Sequence, residues 1–122
     1  MATKRVTTNH GLSAPNCSAC EVDASGRKAV GVDNEIKASN LRRLGRIEGQ
    51  IRGIQRMIED DRYCADILTQ VSSAQEALRA VARALMRNHL SHCATHAITT
   101  GSAQEREAMY DELLDIIYKN AR

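Results

Sequence analysis

Large aromatic side chains are almost missing from this chain of 122 residues, which has three Tyr and no Phe or Trp. Its apolar side chains are mainly Ala, Leu, Ile and Val, which are common in helix bundles. The single proline, Pro15, stands near the start, so the residues after it are free to form helices. The composition therefore favours one small all-α domain.

Long apolar runs are also missing, because no stretch approaches the roughly 18 apolar residues that a membrane span needs. The first residues, MATKRVTTNHGLSAPN, lack the apolar core of a secretion signal. We therefore expect a cytoplasmic protein with no membrane partner. Thiols stay reduced in that compartment, so the four cysteines favour metal or redox chemistry over structural disulfides.

Apolar periodicity divides the chain into two parts. Residues 1–34 show no apolar period and are rich in small polar residues, which predicts a flexible N-terminal tail. Residues 35–122 carry apolar side chains every three or four positions, which predicts a helical domain without strands. We expect a long helix from about Glu35, a second long helix that continues to about His96, and a third over about 104–119.

The predicted helix ends have polar residues that suit capping. Asp60 or Asp61 can cap the second helix, and Ser102 with Glu105 forms the pattern of a capping box before the third helix. Two long helices and one short helix enclose little core by themselves. Their apolar stripes therefore need a partner, and we expect a second copy of the chain to supply it.

Two cysteines and one histidine are spaced in a way that suits a metal site between two chains. His89 and Cys93 are four residues apart on one predicted helix, so both can bind one ion. Cys64 lies in the first turn of the same helix, and 25 residues of α-helix rise about 37 Å. It cannot reach His89 in its own chain, but an antiparallel second chain would bring it there. The spacing therefore predicts two identical sites across a two-fold dimer.

Two thiolates and one imidazole are a soft, three-donor set that suits Cu(I). Zn(II) usually takes four ligands, so His92 or water would have to complete a zinc site. Another interpretation makes Cys64 and Cys93 small buried apolar residues and His89 a surface residue. In the tail, Cys17 and Cys20 form a C-x-x-C pair that is either an auxiliary metal site or a pair of exposed thiols.

Basic residues are concentrated on the first helix, where six of them stand against the single acid Glu48 between positions 37 and 57. Arginines on the second helix continue this pattern. The surface is either a solvated charged face or a contact surface for DNA phosphates. The arginines that could line it are Arg43, Arg46, Arg56, Arg79, Arg83 and Arg87.

These residues resemble a known family. The copper-sensitive operon repressors, the CsoR/RcnR group of metal-sensing transcriptional regulators, are similar to the stretch NLRRLGRIEGQIRGIQRMIEDDRYCADILTQVSSAQEALRAVARALMRNHLSHC. The resemblance covers residues from about 35 to 120. It implies an antiparallel four-helix-bundle dimer that assembles into a dimer of dimers, a homotetramer. It also implies an apo-protein that binds operator DNA and a metal-bound form that releases it.

The resemblance implies a role for each matching residue. Cys64, His89 and Cys93 match the metal ligands, while Tyr63 and Glu112 match residues that couple the histidine to the rest of the fold. Among the basic residues, Arg43 matches a DNA-contacting arginine, and Arg79 and Arg83 flank the place of a second one; Arg46 belongs to the same predicted surface.

Differences between branches of the family narrow the choice of the molecule or ion that this protein senses. Nickel and cobalt sensors add a histidine near the start of the first helix, where this chain has GVDNEIKAS. Persulfide sensors keep both cysteines but lack the histidine, so His89 favours Cu(I). The predicted function is a copper-responsive repressor of copper-resistance genes, not an enzyme. A thiol-sensing repressor that uses Cys64 and Cys93, or a nickel or zinc sensor, is the alternative.

Overall fold

The computed structural model describes residues 22–23, 26–27, 29 and 31–121. Its helices form three rods, which confirms the prediction of an all-α protein with two long helices and a shorter C-terminal one. The elements are β1 (Val22–Asp23), β2 (Gly26–Arg27), α1 (Asn34–Glu59), α2 (Cys64–His89), a π-turn (Leu90–Ala94), α3 (Thr95–Thr100) and α4 (Ala103–Asn120).

Helix α1 begins where Asp33 caps it. The Asp33 carboxylate accepts hydrogen bonds from the backbone N–H groups of Glu35 and Ile36 at 2.8 and 3.1 Å. These bonds satisfy two of the amides that have no partner inside the helix. The predicted start at Glu35 is therefore one residue late.

The prediction that Asp60 or Asp61 caps α2 is wrong. Asp60 ends α1 instead, since its backbone N–H donates to the carbonyl of Arg56 at 2.9 Å. Asp61 takes a left-handed conformation with φ of 51°, which turns the chain toward α2. Tyr63 is the residue at the cap of α2, and its side chain makes no capping bond.

The second rod is longer than predicted. Helix α2 continues through the π-turn into α3 and ends only at Gly101, so the stretch predicted as a loop after His96 is helical to Thr100. Threonine hydroxyls donate to backbone carbonyls along this rod, including Thr99 to Thr95 at 2.6 Å and Thr100 to His96 at 2.8 Å. Ser102 and Glu105 then form the predicted capping box of α4.

A short antiparallel pairing precedes α1. Val22 pairs with Arg27 and Asp23 with Gly26. Two residues in each strand are too few to produce the alternating pattern that reveals a strand in a sequence. The pairing lies in the part predicted to be a flexible tail, and that flexibility stays a prediction. The described residues from 35 to 121 contain no strand, as predicted for the helical domain.

Helices α1 and α2 run antiparallel and pack along their length, with the side chains of Gln50 and Ser73 bonded at 3.3 Å midway. Only a few apolar side chains are buried between them, including Ile47, Ala74 and Val81. A second small core lies where the second rod meets α4. Many large apolar side chains on all three rods stay exposed, among them Leu41, Leu44, Ile51, Ile58, Leu78, Leu85, Leu114 and Ile117.

Candidate metal centre

His89, the last residue of α2, lies beside α4. Its ring nitrogen Nε2 is 3.6 Å from Oε1 of Glu112, and both side chains are mostly buried. A carboxylate beside one ring nitrogen commonly fixes the orientation of a metal-binding histidine and leaves the other nitrogen for the metal. At 3.6 Å the pair is too far apart for a hydrogen bond, and because Nε2 is the nitrogen near Glu112, Nδ1 is the one left for an ion.

Cys93 is buried at the start of the small core between the second rod and α4. Its exposed fraction is 3%, and it packs in one cluster with Ala94, Ala97 and Met109. A buried thiol in an apolar cluster is held in place by its surroundings, because interiors are densely packed. Cys93 therefore offers a fixed sulfur about one helical turn after His89.

The π-turn begins directly after His89 and contains Cys93. The backbone N–H of Thr95 donates to the carbonyl of Leu90, five residues earlier, and the Thr95 hydroxyl donates to the same carbonyl at 2.7 Å. Such widened turns are rare insertions in an α-helix and are frequent at functional sites. No residue pattern in the sequence predicted it, since the turn is defined by its backbone hydrogen bonds.

Cys64 lies at the opposite end of α2 from His89. It is the first residue of this 26-residue helix and is exposed. The rise of the helix puts about 37 Å between the two ends. Tyr63, which the resemblance couples to the histidine, is also at this far end and is 73% exposed.

No three His, Cys, Asp or Glu side chains come together as a metal-binding group among the described residues. One protomer therefore presents a two-donor half of the predicted site, His89 with Cys93, and a separate single donor, Cys64. The other two histidines of this rod have different neighbours. His92 packs against Gly31, and Nδ1 of His96 lies 3.3 Å from the hydroxyl of Thr100. Cys17 and Cys20 lie outside the described residues.

The predicted DNA-binding arginines divide into different environments. Arg43 of α1 and Arg83 of α2 line one groove together with Arg87 and with Ser91 of the π-turn. Arg79 forms an ion pair with Glu76 at 2.6 Å and lines a second groove, which also contains Arg83 and His89. Arg46 lines neither groove. The arginine groove therefore reaches the same turn that carries the candidate metal ligands.

Comparison with known protein families gives a match over residues 36–119, to the family described as metal-sensitive transcriptional repressors. The match covers all three helical rods. The chain belongs to this family. The protein is thus a metal-sensitive transcriptional repressor.

Two relatives show which metal similar proteins sense. The chain is 55% identical over 65 residues to the copper-sensing transcriptional repressor RicR of Mycobacterium tuberculosis, across 53% of this chain and 68% of RicR. It is 49% identical over 77 residues to the copper-sensing transcriptional repressor CsoR of Bacillus subtilis, across 63% of this chain and 73% of that protein.

Solved structures agree on the fold. The copper-sensing repressor CsoR of Geobacillus thermodenitrificans, determined with Cu(I), superposes with a TM-score of 0.67 at 43% identity and covers 75% of this chain and 93% of its own. A variant of the formaldehyde-responsive regulator FrmR of Salmonella enterica superposes with a TM-score of 0.58 at 22% identity, over 73% of this chain and 98% of its own. That second likeness concerns the fold alone.

None of the described helices is both long and apolar enough to cross a membrane. The sequence prediction also omitted some residues that lie next to the candidate ligands. Asn88 is buried beside His89 and binds the backbone of residues 31 and 33, and Gly31 packs on His92. A polar helix residue and a tail glycine form no sequence pattern that points to this contact.

Proposed function

We propose that this repressor senses Cu(I) at two identical sites, each of which is shared by two protomers of a dimer. His89 and Cys93 of one protomer and Cys64 of the partner subunit are the proposed ligands. The observation that carries the proposal is the separation of the donors: two lie about one turn apart, and the third is at the other end of the same rod. An antiparallel pair of α2 helices brings the two ends together twice.

The residues present fit a copper(I) ion. Nε2 of His89 lies near Glu112, which leaves Nδ1 for an ion; Cys93 is packed in the small core, and Cys64 is exposed and accessible to a second chain. Two sulfurs and one imidazole nitrogen form a soft set of three donors, the number that Cu(I) accepts readily. When bound, the ion supplies a short link between the two protomers.

Exposed apolar seams support the dimer. On α1, Leu44, Ile51 and Ile58 are exposed at intervals of seven residues, and on α2 Leu78 and Leu85 continue the same spacing. A seven-residue apolar repeat is the seam along which helices pack against one another. A second copy would cover both seams and produce a four-helix bundle from two α1–α2 pairs.

The groove beside His89 supports the position of the partner. It is lined by Leu85 and Met86 of α2 and by Ile116 of α4, together with His89. The groove is also lined by the cations Arg79, Arg83 and Lys119, and its apolar wall beside the proposed ligand His89 suits a helix end that carries another proposed ligand. Exposed apolar residues on α4, including Leu114 and Ile117, remain for the contact between two dimers that a homotetramer needs.

The arginine groove is the proposed contact surface for operator DNA. Arg43, Arg83 and Arg87 come from two helices and line one groove, and all three are exposed. Guanidinium groups bind phosphate oxygens through paired N–H donors. Arg79 contributes less, because Glu76 already occupies its guanidinium. We assign Arg46 to the edge of this surface, on the basis of the sequence pattern alone.

The proposed release of DNA depends on the closeness of the metal site to the arginine groove. To share an ion, Cys64 of the partner subunit must approach His89 and Cys93, which changes the packing of two protomers at the π-turn. Ser91 of that turn lines the arginine groove. The apo form therefore presents the spacing of arginines that suits DNA, and the metal-bound form loses it. The result is a cytoplasmic repressor of copper-resistance genes that has no catalytic role.

A test of this function uses fluorescence anisotropy of operator DNA with the anaerobic, reduced protein. Cu(I) should release the DNA from the parent protein, while His89→Ala should bind some copper through its two thiolates and keep the DNA. His96→Ala is the matched control, because His96 is exposed on the same rod and contacts only Thr100 among the bonds described. It should respond like the parent.

Other inducers are separated in the same assay. A persulfide donor, Ni(II) and Zn(II) are added in parallel to the parent protein. If the parent ignores Cu(I) and releases DNA with the persulfide donor, a thiol sensor that uses Cys64 and Cys93 replaces the copper proposal. If Ni(II) or Zn(II) releases DNA at lower concentration than Cu(I), the metal assignment is wrong.

A further inference from the structure

The chain segment before α1 is fastened to the helix turn that carries the proposed metal ligands. We call residues 31–33 the strap. Asn88 holds it at two points: its side-chain oxygen accepts a hydrogen bond from the backbone N–H of Asp33 at 3.0 Å, and its side-chain nitrogen donates to the carbonyl of Gly31 at 3.1 Å. Asn88 is only 8% exposed. The strap therefore provides a hydrogen-bond partner for both the oxygen and the nitrogen of the buried Asn88 amide.

A second contact fixes the same strap from the other side. Gly31 lies so close to the ring of His92 that an added Cβ would stand 2.8 Å from Nδ1 and 3.0 Å from Cγ. A side chain at position 31 would require the ring or the strap to move. The two residues that hold the strap, Asn88 and His92, each directly precede a proposed ligand, His89 and Cys93 respectively.

The strap is also the start of α1. Asp33 caps this helix with its carboxylate, and its carbonyl accepts the backbone N–H of Lys37 at 2.9 Å. Arg43 lies roughly ten residues further along, about 15 Å up the helix axis. We call residues 88–93, which include the proposed ligands His89 and Cys93, the ligand turn. A shift of the ligand turn would therefore be passed through Asn88 to the first turn of α1, the helix that carries Arg43.

We propose that Asn88 and the strap form a coupling contact between the metal site and the DNA-binding helix, with Asn88 as its positioning residue. This rests on the proposed metal-dependent release of DNA and names one route for it. Asn88 stands about 100° around the helix from His89, so it is not aimed at the ion but moves with the ligand turn. Ligand binding acts on DNA affinity only through such a difference between two states.

The test measures DNA affinity with and without Cu(I), and the copper affinity itself, for Asn88→Ala and Gly31→Ala. Neither residue supplies a proposed ligand, so copper affinity and apo-protein DNA affinity should stay within about twofold of the parent. The copper-dependent loss of DNA affinity should shrink by roughly threefold to thirtyfold. Gly45→Ala is the matched control, since nothing lies within 4 Å of a Cβ there, and it should couple like the parent.

Hydrogen exchange at the Asp33 amide distinguishes a strap that transmits the metal signal from one that only stabilises the fold. In the parent, this amide should be protected, and Cu(I) should change its protection; in Asn88→Ala it should exchange fast in both states. Asn88→Asp keeps the acceptor for Asp33 and removes the donor to Gly31, so its coupling should fall between those of the parent and Asn88→Ala. Because Gly31→Ala leaves all helix and core residues intact, it keeps the test valid if Asn88→Ala folds poorly.

Two results overturn the inference. One is full copper-dependent release in Gly31→Ala and Asn88→Ala while the Asp33 amide exchanges fast, because the strap is then detached without loss of coupling. The other is an Asp33 protection that ignores Cu(I) in a parent that releases DNA. If the parent does not respond to Cu(I) at all, the proposed function fails instead, and the same ratios are measured with whichever inducer releases the DNA.

Discussion

The two ends of α2 differ in how much of a binding site they contain. At the C-terminal end, His89 faces Glu112, Cys93 is buried in the small core, and Asn88 holds the strap. At the N-terminal end, Cys64 is exposed and Tyr63 caps the helix without a side-chain bond. One end holds two of the proposed donors, His89 and Cys93, in packed surroundings. The other end is a single donor that needs a second chain.

In the proposed shared site, this difference lets one metal ion report on the arrangement of two protomers. A site built entirely from one end would bind metal without changing how the protomers pack. A site that needs both ends cannot close unless the protomers adopt one particular arrangement. In the proposed mechanism the metal selects one arrangement of the dimer, and DNA affinity responds to the shift in population between two arrangements.

The largest expected effect comes from the two cysteines. Cys64→Ser and Cys93→Ser should each abolish copper-dependent release of DNA, because a serine hydroxyl is a poor ligand for Cu(I). Their effects on stability should differ. Cys93→Ser buries a hydroxyl in an apolar cluster and should lower the free energy of unfolding by about 1–3 kcal/mol.

The control within this pair is Cys64→Ser, whose site is exposed and which should leave the free energy of unfolding within about 0.5 kcal/mol of the parent. Urea unfolding of both apo variants measures the difference. Equal losses of stability would mean that the two ends of α2 are equally buried in the assembled protein, and the contrast between them would disappear.

A smaller effect is expected at Glu112. Glu112→Gln keeps the size of the side chain but removes the carboxylate that faces Nε2 of His89. Copper should still bind, since all three ligands remain, but the copper-dependent loss of DNA affinity should fall by roughly 5-fold or more. Glu107→Gln, an exposed carboxylate on the same helix, should behave like the parent. A Glu112→Gln variant with full coupling would show that the pairing with His89 carries no signal.

The smallest effect compares two arginines on α2. Arg87→Ala should weaken DNA binding and reduce the slope of log affinity against log salt by about 0.9 for each phosphate that the protein no longer neutralises. Arg79→Ala should change that slope less, because Glu76 already pairs with this arginine. Equal slopes for the two variants would remove the distinction between the arginine groove and the surface around Arg79. Copper affinity should be unchanged in both.

The helices were predictable because apolar residues leave a repeated pattern in the sequence, whereas the ligands chosen from their spacing stay a prediction. Apolar residues every three or four positions predicted the three rods, and the capping box of Ser102 and Glu105 was confirmed. The helix ends were harder, since Asp60 and Asp61 look like caps for α2 but terminate and turn α1. A short local pattern does not show whether an aspartate between two helices ends the first helix or caps the second.

Contacts between distant parts of the chain left no pattern in the sequence. The strap meets Asn88 across 55 residues or more, and the π-turn arises from backbone hydrogen bonds that no particular residue type demands. The proximity of Glu112 to His89 was expected only from the resemblance to a family. Tertiary packing places the strap against Asn88 and Glu112 near His89, so these two contacts become visible only when the helices are placed together.

The most direct test of the shared site mixes two inactive chains. Cys64→Ser carries an intact His89 and Cys93, and Cys93→Ser carries an intact Cys64, so a dimer of one with the other contains one complete site. We predict that each variant alone binds no tightly held Cu(I), whereas purified mixed dimers bind one Cu(I) per dimer with two Cu–S bonds and one Cu–N bond. Mixed dimers that bind no copper, or a Cys64→Ser homodimer that keeps a two-sulfur site, would contradict the shared site.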